Sequence, residues 1–405
     1  MKAMKKTLLA AAMSVAAVTG VQAAGISDDV LKIGVLGDMG GVYADIAGQG
    51  SVVAVQMAVE DFGGTILGKP IEVVSADDQN KADVGSSIAR KWIDDEKVDV
   101  INGAVASSVT GAVTKVMTEA EKITLIAASA SHAFTTSQCS PFNAHWTYDV
   151  VAMANGTVKP MVASGKEKWF FITADYGFGH ALEKVATGVI NDNGGTVVGG
   201  VRAPLGTTDF SSYILQAQSS GADVIALANA GADMVNSLKT AAEFGVTEMM
   251  DVAGLLVFTQ NAQALDPAIA GGMKLTTGFY WDMDDQTRAW SKRYMERMDG
   301  KIPSMAHAGA YSSTMHYLNA VKAAGTDEGK AVMAKMKETP VEDFFSRNGY
   351  LRKDGRMVHD MLQVRIKTAD ERANANDIFA IEKVIKGDDA FLELSKGGCE
   401  FALAK

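Results

Sequence analysis

The residues best suited to binding chemistry are serines that precede predicted helices. Residues 103–108 read GAVASS and residues 127–135 read AASASHAFT, and each loop follows a predicted strand. The first turn of a helix offers unpaired backbone N–H groups and a partial positive charge, so both loops are suited to an anion such as a carboxylate. The alternative is ordinary helix capping, for which the candidates are Ser107, Ser108, Ser129 and Ser131.

Two tyrosines follow strands in different halves of the chain. Residues 37–50 read GDMGGVYADIAGQG, where the glycines allow close approach of a ligand and Tyr43 and Asp45 offer an aromatic wall and an acceptor. Residues 174–179 read ADYGFG and place Tyr176 at the matching edge. We predict that the two tyrosines enclose an apolar or aromatic ligand. The alternative is that each covers the core of its own half.

Other residues are weaker candidates for the same cleft. Asn229 is polar and ends a predicted buried strand, and Tyr280 and Trp281 lie in GFYWDMD, which we interpret as a crossing between halves that supplies a wall or hinge packing. His132 and His307 are the two histidines whose loops point to the cleft. The alternative is that each is an ordinary surface or core residue without a role in binding.

No motif of an enzyme or a metal site is present in the sequence. There is no GxSxG, HExxH, CxxC, GxGxxG or GxxxxGK[ST] pattern, and the six histidines are scattered without the spacing of metal ligands. We therefore predict a protein that binds without catalysing a reaction and that needs no cofactor or metal.

The first residues have the pattern of a cleaved signal peptide. Three lysines precede an apolar run that ends in Val21-Gln22-Ala23, and this run is shorter than the ~20 residues that a membrane span needs. We predict cleavage after Ala23 and a location in the periplasm. Removing residues 1–23 leaves 35 basic and 48 acidic residues, a net charge of −13, which argues against nucleic acid as a partner.

Two cysteines are present in a chain that we expect to be exported. Disulfides persist outside the cytoplasm, so we predict a bond between Cys139 and Cys399, against the alternative of two unrelated buried thiols. By chain-entropy reasoning such a long loop contributes at most about 5 kcal/mol.

Strands and helices alternate along both halves, which predicts parallel, doubly wound sheets. The first half reads as strands at 31–36, 71–75, 98–102 and 123–127 with helices at 51–62, 82–95 and 109–120, and the second as strands at 169–173, 196–202 and 224–229 with helices at 179–191, 210–219 and 234–244. DFGGTILGKP and DNGGTVVGGV share five of ten residues at equivalent places, which favours duplication.

Ligands of parallel, doubly wound sheets bind at the carboxyl ends of strands. The loops there are 37–50, 77–81, 103–108, 127–135, 174–179, 203–209, 229–233 and 254–260.

Several long strings resemble the type I periplasmic binding proteins, and among them the leucine/isoleucine/valine-binding family of ABC importers. They are LKIGVLGDMGG, DFGGTILGKPIEVVSADDQ, ASASHAFT, ADYGFGHALE, ANAGAD, GFYWDMDDQTRAW and DGRMVHDM. The resemblance implies two lobes that are joined by three crossovers and close on a ligand delivered to a membrane permease. It also implies that Ser107, Ser129 and Ser131 hold a carboxylate, and that Tyr176 and a residue between Tyr43 and Ile46 flank the rest of the ligand.

The resemblance implies an acidic residue that holds the ammonium group of an amino acid ligand, and the sequence departs from the family at this place. The corresponding stretch is AGLLVF at 253–258, which contains no acid. A buried ammonium without a partner is costly, so we favour an aromatic or lipophilic acid over a branched-chain amino acid unless Asp45 or Asp233 substitutes. A sensory receptor of the same fold is a further alternative.

We therefore predict an α/β protein with two doubly wound parallel-sheet lobes and a three-crossover hinge. The predicted partners are a small carboxylate and a membrane permease, and the protein itself is predicted to be a monomer. Lobe 1 would comprise 24–148 and 282–358, and lobe 2 would comprise 149–281 and 359–405. The predicted ligand-binding residues are Tyr43, Asp45, Ile46, Ser107, Ser108, Ser129, Ala130, Ser131, Tyr176, Asn229, Tyr280 and His307.

Overall fold

Strands and helices alternate through most of the chain in a computed structural model that describes residues 25–403. The predicted signal peptide and its cleavage site lie outside the described residues. The strands are β1 Leu31–Gly37, β2 Thr65–Ile66, β3 Lys69–Asp77, β4 Val100–Gly103, β5 Ile123–Ile126, β6 Asn143–His145, β7 Lys168–Ala174, β8 Thr196–Ala203, β9 Val224–Ala228, β10 Asp251–Gly254, β11 Lys274–Thr277, β12 Tyr350–Leu351, β13 Met357–Val358, β14 Met361–Ile366 and β15 Phe379–Ile385.

The helices include long ones that cover the sheets and single turns that connect them. They are α1 Ala44–Ala47, α2 Gln49–Phe62, α3 Ala82–Asp94, α4 Ser107–Glu119, α5 Val150–Ala163, α6 Gly177–Asp192, α7 Ser211–Gln218, α8 Gly231–Glu243, α9 Thr259–Gln263, α10 Pro267–Ala270, α11 Asp285–Arg297, α12 Met305–Ala324, α13 Gly329–Glu338, α14 Gly387–Ala390, α15 Leu394–Gly397 and α16 Glu400–Leu403. Every element predicted above is present, and its ends differ from the prediction by no more than three residues.

Lobe 1 is built on a six-stranded sheet in the order β2-β3-β1-β4-β5-β6. Neighbouring strands are parallel except for the β2–β3 hairpin. Strands β4 and β5 are buried at every residue, as expected for parallel strands covered by helices on both faces. Helices α11 and α12, from late in the sequence, pack on α2 and complete this lobe.

Lobe 2 is built on a parallel sheet in the order β10-β9-β7-β8. Beside it lies an antiparallel sheet in the order β11-β14-β15, which strand–helix alternation did not predict. Helix α5 packs against both β11 and β14. The two parallel sheets confirm the predicted fold class.

Three segments that connect the lobes meet at His359, and the chain crosses between the lobes once more after β15. The segments are 146–149, 278–284 and 359–360, between elements of opposite lobes. The Nε2 atom of His359 is 2.5 Å from the carbonyl oxygen of Thr147. A Cβ atom added to Gly278 would lie 3.2 Å from the ring of His359. The segments thus form one packed hinge, while the lobe boundaries at 148, 281 and 358 remain our proposed division.

The end of the chain departs from that division, because it returns to lobe 1. Cys399 is bonded to Cys139, as predicted. Leu392 accepts a hydrogen bond from Arg352 through its carbonyl oxygen at 2.7 Å, and the amine of Lys337 lies 5.7 Å from the ring centre of Phe401. The segment from about 391 onward therefore belongs with lobe 1, and the disulfide holds it there.

Two classes of feature are absent from residues 25–403. No helix in this range is long and apolar enough to cross a membrane. No group of three or more His, Cys, Asp or Glu side chains in the same range is arranged to hold a metal ion.

Candidate ligand-binding site

A small cavity lies between the lobes, at the carboxyl ends of the strands. Its free volume is about 10 Å³, room for about one water molecule, so a larger ligand requires the lobes or the lining side chains to move apart. Its lining residues are Tyr43, Ile46, Val105, Ala128, Ala130, Tyr148, Tyr176, Phe178, Ala230, Leu256 and Phe258. Every lining side chain is either aliphatic or aromatic, so the cavity is suited to a compact apolar group.

Two tyrosines from opposite lobes meet across this cavity. The hydroxyl oxygens of Tyr43 and Tyr176 are 2.5 Å apart, and burial raises the pKa of both phenols. The two side chains therefore remain neutral and hydrogen-bonded to each other. The two tyrosines come from opposite lobes, and their contact joins the lobes over the cavity. That they enclose a ligand stays a prediction.

Asp38 positions the loop that carries Tyr43, a role that the sequence analysis missed. Its carboxylate accepts hydrogen bonds from the backbone N–H groups of Gly41 at 2.6 Å and Tyr43 at 2.9 Å. Asp38 is only 1% exposed. An acidic residue directly after a strand and before two glycines was the available signal, since such side chains commonly bond to the backbone of the following turn.

Aromatic rings form the remaining walls of the cavity. Tyr148, from the first crossover, packs edge-on against Phe258 of lobe 2 with 5.7 Å between ring centres, and Phe178 lies 5.8 Å from Tyr176. The hydroxyl of Tyr148 donates to the carbonyl oxygen of Ala128. Because that hydroxyl is satisfied within the protein, the ring presents its apolar part to the cavity.

None of the predicted serines lines the cavity, and each lies within three residues of a lining residue along the chain. Helix α4 begins without any side-chain cap, and Ser107 accepts a hydrogen bond from the hydroxyl of Ser129 at 3.2 Å. Ser131 instead caps the following short helix by accepting from the N–H of Ala133 at 3.3 Å. Helix capping therefore explains the role of Ser131. The backbone N–H groups in the first turn of α4, by contrast, are not occupied by a side-chain cap. The side chain of Ser108 is exposed.

Four other predicted residues lie away from the cavity lining. Asp45 is 66% exposed and pairs with Lys301 at 3.2 Å, and His307 is buried beside it in a separate recess. Asn229 donates to the hydroxyl of Ser237 at 2.8 Å within lobe 2. Tyr280 also packs within lobe 2, where its hydroxyl accepts from the N–H of residue 378 at 3.1 Å.

Asp233 is the candidate partner for an amine on a ligand, because it is a buried acid with one unpaired carboxylate oxygen. One carboxylate oxygen accepts from the N–H of Gly206 at 3.1 Å, and the other is buried without a hydrogen-bond partner in residues 25–403. Burial raises its pKa to about 6. Its charge also raises the pKa of Tyr43 and Tyr176, which places it near the cavity although it does not line it.

Two α/β lobes that enclose a small cavity at a three-segment hinge define a solute-binding protein of the hinged type. The sequence between residues 30 and 372 matches the family described as "Periplasmic binding protein". The chain therefore belongs to the periplasmic binding protein family, and this family implies a periplasmic location.

Known proteins similar to this chain include both curated relatives and solved structures. The "Leu/Ile/Val-binding protein homolog 6" of Brucella melitensis is 24% identical over 80% of this chain and 84% of its own length. A periplasmic binding protein from Burkholderia mallei is 43% identical, with a TM-score of 0.91 over 93% of this chain and all of the other. A branched chain amino acid ABC transporter periplasmic ligand-binding protein from Burkholderia xenovorans LB400 is 37% identical, with a TM-score of 0.82 over 92% of this chain and all of the other.

A more distant structure shares the fold. The solute binding protein of an ABC transporter from Rhodopseudomonas palustris BisB5, solved in complex with 3,4-dihydroxy benzoic acid, has a TM-score of 0.81 at 19% identity. It covers 89% of this chain, and this chain covers 98% of it. The suspected family is thus confirmed.

Proposed function

We propose that this protein is the periplasmic solute-binding component of an ABC importer and that its ligand is a small aromatic or lipophilic carboxylate. The observation that carries the proposal is the lining of the cavity between the lobes, which consists of aromatic and aliphatic side chains and adjoins the uncapped first turn of α4. The apolar walls favour a ring, and the free donors of the helix favour a carboxylate.

The similar proteins support this role from two directions. Those from Burkholderia xenovorans and Rhodopseudomonas palustris are described as parts of ABC transporters, and the second holds an aromatic acid. A membrane permease is accordingly the proposed partner, and we propose that the mature protein, cleaved after Ala23, acts as a monomer without catalytic activity.

A branched-chain amino acid is the second candidate, because Asp233 has a carboxylate oxygen without a partner. An ammonium group beside it would supply the missing donor and would lower the raised pKa of this carboxylate. The residues that line the cavity include no acid, however, so the amine would have to lie at its edge.

A thermal-shift screen of benzoate, hydroxybenzoates and branched-chain amino acids separates the two candidates. We expect benzoates to raise the melting temperature, since a ligand at 100 times its Kd stabilises the folded state by about 2.7 kcal/mol. Asp233→Asn should leave this shift unchanged. A shift with leucine but not with benzoates, abolished by Asp233→Asn, would establish the amino acid instead, and the absence of any shift would refute both.

Replacing Ser107 with alanine should weaken carboxylate binding about tenfold. The hydroxyl of Ser107 is buried at the start of α4, and losing one hydrogen bond to a charged group costs about 1.5–3 kcal/mol. Ser108→Ala is the matched control, because the neighbouring hydroxyl is exposed and its removal should change Kd less than twofold. Equal calorimetric Kd values for the two variants would place the carboxylate elsewhere.

A further inference from the structure

A second recess, of about 130 Å³, is separated from the aromatic cavity by the single turn of α1. Tyr43 and Ile46 line the cavity, whereas Ala44 and Asp45 line the recess. On the side of lobe 2, Gln260 reaches the recess from α9. The remaining wall belongs to lobe 1 and comes from Met39, the start of α2, and α11 and α12 with the segment between them. The recess is therefore complete only when the lobes are together.

His307 presents a hydrogen-bond donor to this recess. The backbone N–H of Ser304, which can only donate, lies 3.2 Å from Nδ1 of His307, so Nδ1 acts as an acceptor and carries no proton. Burial lowers the pKa of His307 to about 3, and the ring is therefore neutral with its proton on Nε2. The imidazole is 2% exposed, and its Nε2 has no hydrogen-bond partner among residues 25–403.

Gln260 presents a hydrogen-bond acceptor to the same recess. Its Nε2 donates to the carbonyl oxygen of Ile302 at 2.6 Å, and because a carbonyl can only accept, this contact fixes the orientation of the amide. The remaining Oε1 is buried and has no partner within the described chain. The same Nε2 is 3.5 Å from Nδ1 of His307, so the two side chains lie next to each other across the lobes.

The polar atoms of this recess converge over Gly50. A Cβ atom added there would lie 2.3 Å from the hydroxyl of Tyr294 and 2.6 Å from Nε2 of His307. Leaving a buried donor or acceptor unpaired costs about 1–3 kcal/mol for each group. A molecule that supplied both missing partners would recover much of that cost.

We propose that the recess is a second binding site, which takes a small neutral molecule carrying both an acceptor and a donor, such as a primary amide. The carbonyl of the amide accepts from His307, and its NH₂ group donates to Gln260. The rim charges of Asp45 and Lys301 offset each other at 3.2 Å, and the neutral imidazole offers no charge to an anion. Charged ligands are thus disfavoured.

Occupation of this site strengthens ligand binding in the aromatic cavity. Because the walls come from both lobes, a molecule in the recess binds the closed arrangement in preference to the open one, and the two sites are coupled by the same closure. The coupling rests on the proposed function, whereas binding in the recess does not.

The test uses acetamide as the probe and follows the imidazole N–H signals by ¹H–¹⁵N NMR, in free protein and in protein saturated with the acid found in the screen. We expect acetamide, but not acetate, to shift the Nε2–H signal of His307 in at least one of the two states. His307→Asn keeps an acceptor for Ser304 but lacks the outer donor, so calorimetry should show a loss of acetamide affinity of at least tenfold. Asp29→Asn, at an exposed position outside the recess, should change that affinity less than twofold.

The outcomes separate this site from the proposed function. No shift with acetamide in either state, an equal response to acetate, or unchanged affinity in His307→Asn would overturn the second site even if the acid binds normally. If the site is real, saturating acetamide should lower the Kd of the acid at least twofold, and an unchanged Kd would overturn the coupling alone.

Discussion

Gly231→Ala is expected to weaken ligand binding about a hundredfold, equivalent to about 2.7 kcal/mol. Gly231 begins α8 in lobe 2, and an added Cβ would lie 2.6 Å from the carbonyl oxygen of Val42 and 3.1 Å from the ring of Tyr43, both in lobe 1. Backbone atoms cannot move aside locally, so the methyl group would hold the lobes apart. A ligand that depends on closure would then be held by one lobe only.

Gly206→Ala is the matched control for this substitution. Gly206 also lies in lobe 2 and has φ +83°, against +62° for Gly231, so alanine incurs a similar backbone cost of about 1–2 kcal/mol at both positions. An added Cβ on Gly206 would meet only the side chain of Val42, at an ordinary 3.8 Å. Calorimetry should therefore show a much smaller loss of affinity in Gly206→Ala. Equal Kd values for both variants would mean that strain within lobe 2, not blocked closure, causes the loss.

The sequence predicted the position of the cavity better than the individual residues in it. Ten of the eleven lining residues come from six loops that follow strands, because parallel strands bring their carboxyl ends to one edge. Leu256 and Phe258 belong to the AGLLVF stretch, whose apolar character favoured a ligand without an amine. The exception is Tyr148, which lies in the first crossover after β6, a strand that the sequence analysis did not predict.

What the sequence could not predict depends on contacts between distant segments. Alternation along the chain placed Asp45 and Ile46 in the same loop, but one turn of helix directs Ile46 to the cavity and Asp45 to Lys301. His307 lies in the separate recess and not in the cavity lining, and Gln260 beside it is 47 residues away along the chain. The return of the last residues to lobe 1 likewise follows from long-range packing around Cys399, which has no local signature.

Arg356→Met is expected to lower the free energy of unfolding by about 3–5 kcal/mol, because it leaves a buried carboxylate without its cation. Arg356 is completely buried beside the hinge, with its guanidinium 3.5 Å from the carboxylate of Asp149 and 4.4 Å from the ring centre of Phe391. It also donates to the carbonyl oxygen of Tyr148 at 3.3 Å. Burial lowers its pKa to about 10, so it is still charged at neutral pH. Urea unfolding followed by circular dichroism gives the loss directly.

Asp149→Asn distinguishes the loss of the ion pair from the loss of packing. The other oxygen of Asp149 accepts from the N–H groups of Val151 and Ala152 and so caps α5, a role that the asparagine oxygen can keep. If the unpaired charge causes the damage, Arg356→Met combined with Asp149→Asn should be more stable than Arg356→Met alone by about 1–3 kcal/mol. Strictly additive losses would assign the effect to the contacts of Arg356 with Phe391 and Tyr148. In that case the hinge depends on the arginine as a packing element, and its charge contributes little to holding the crossovers together.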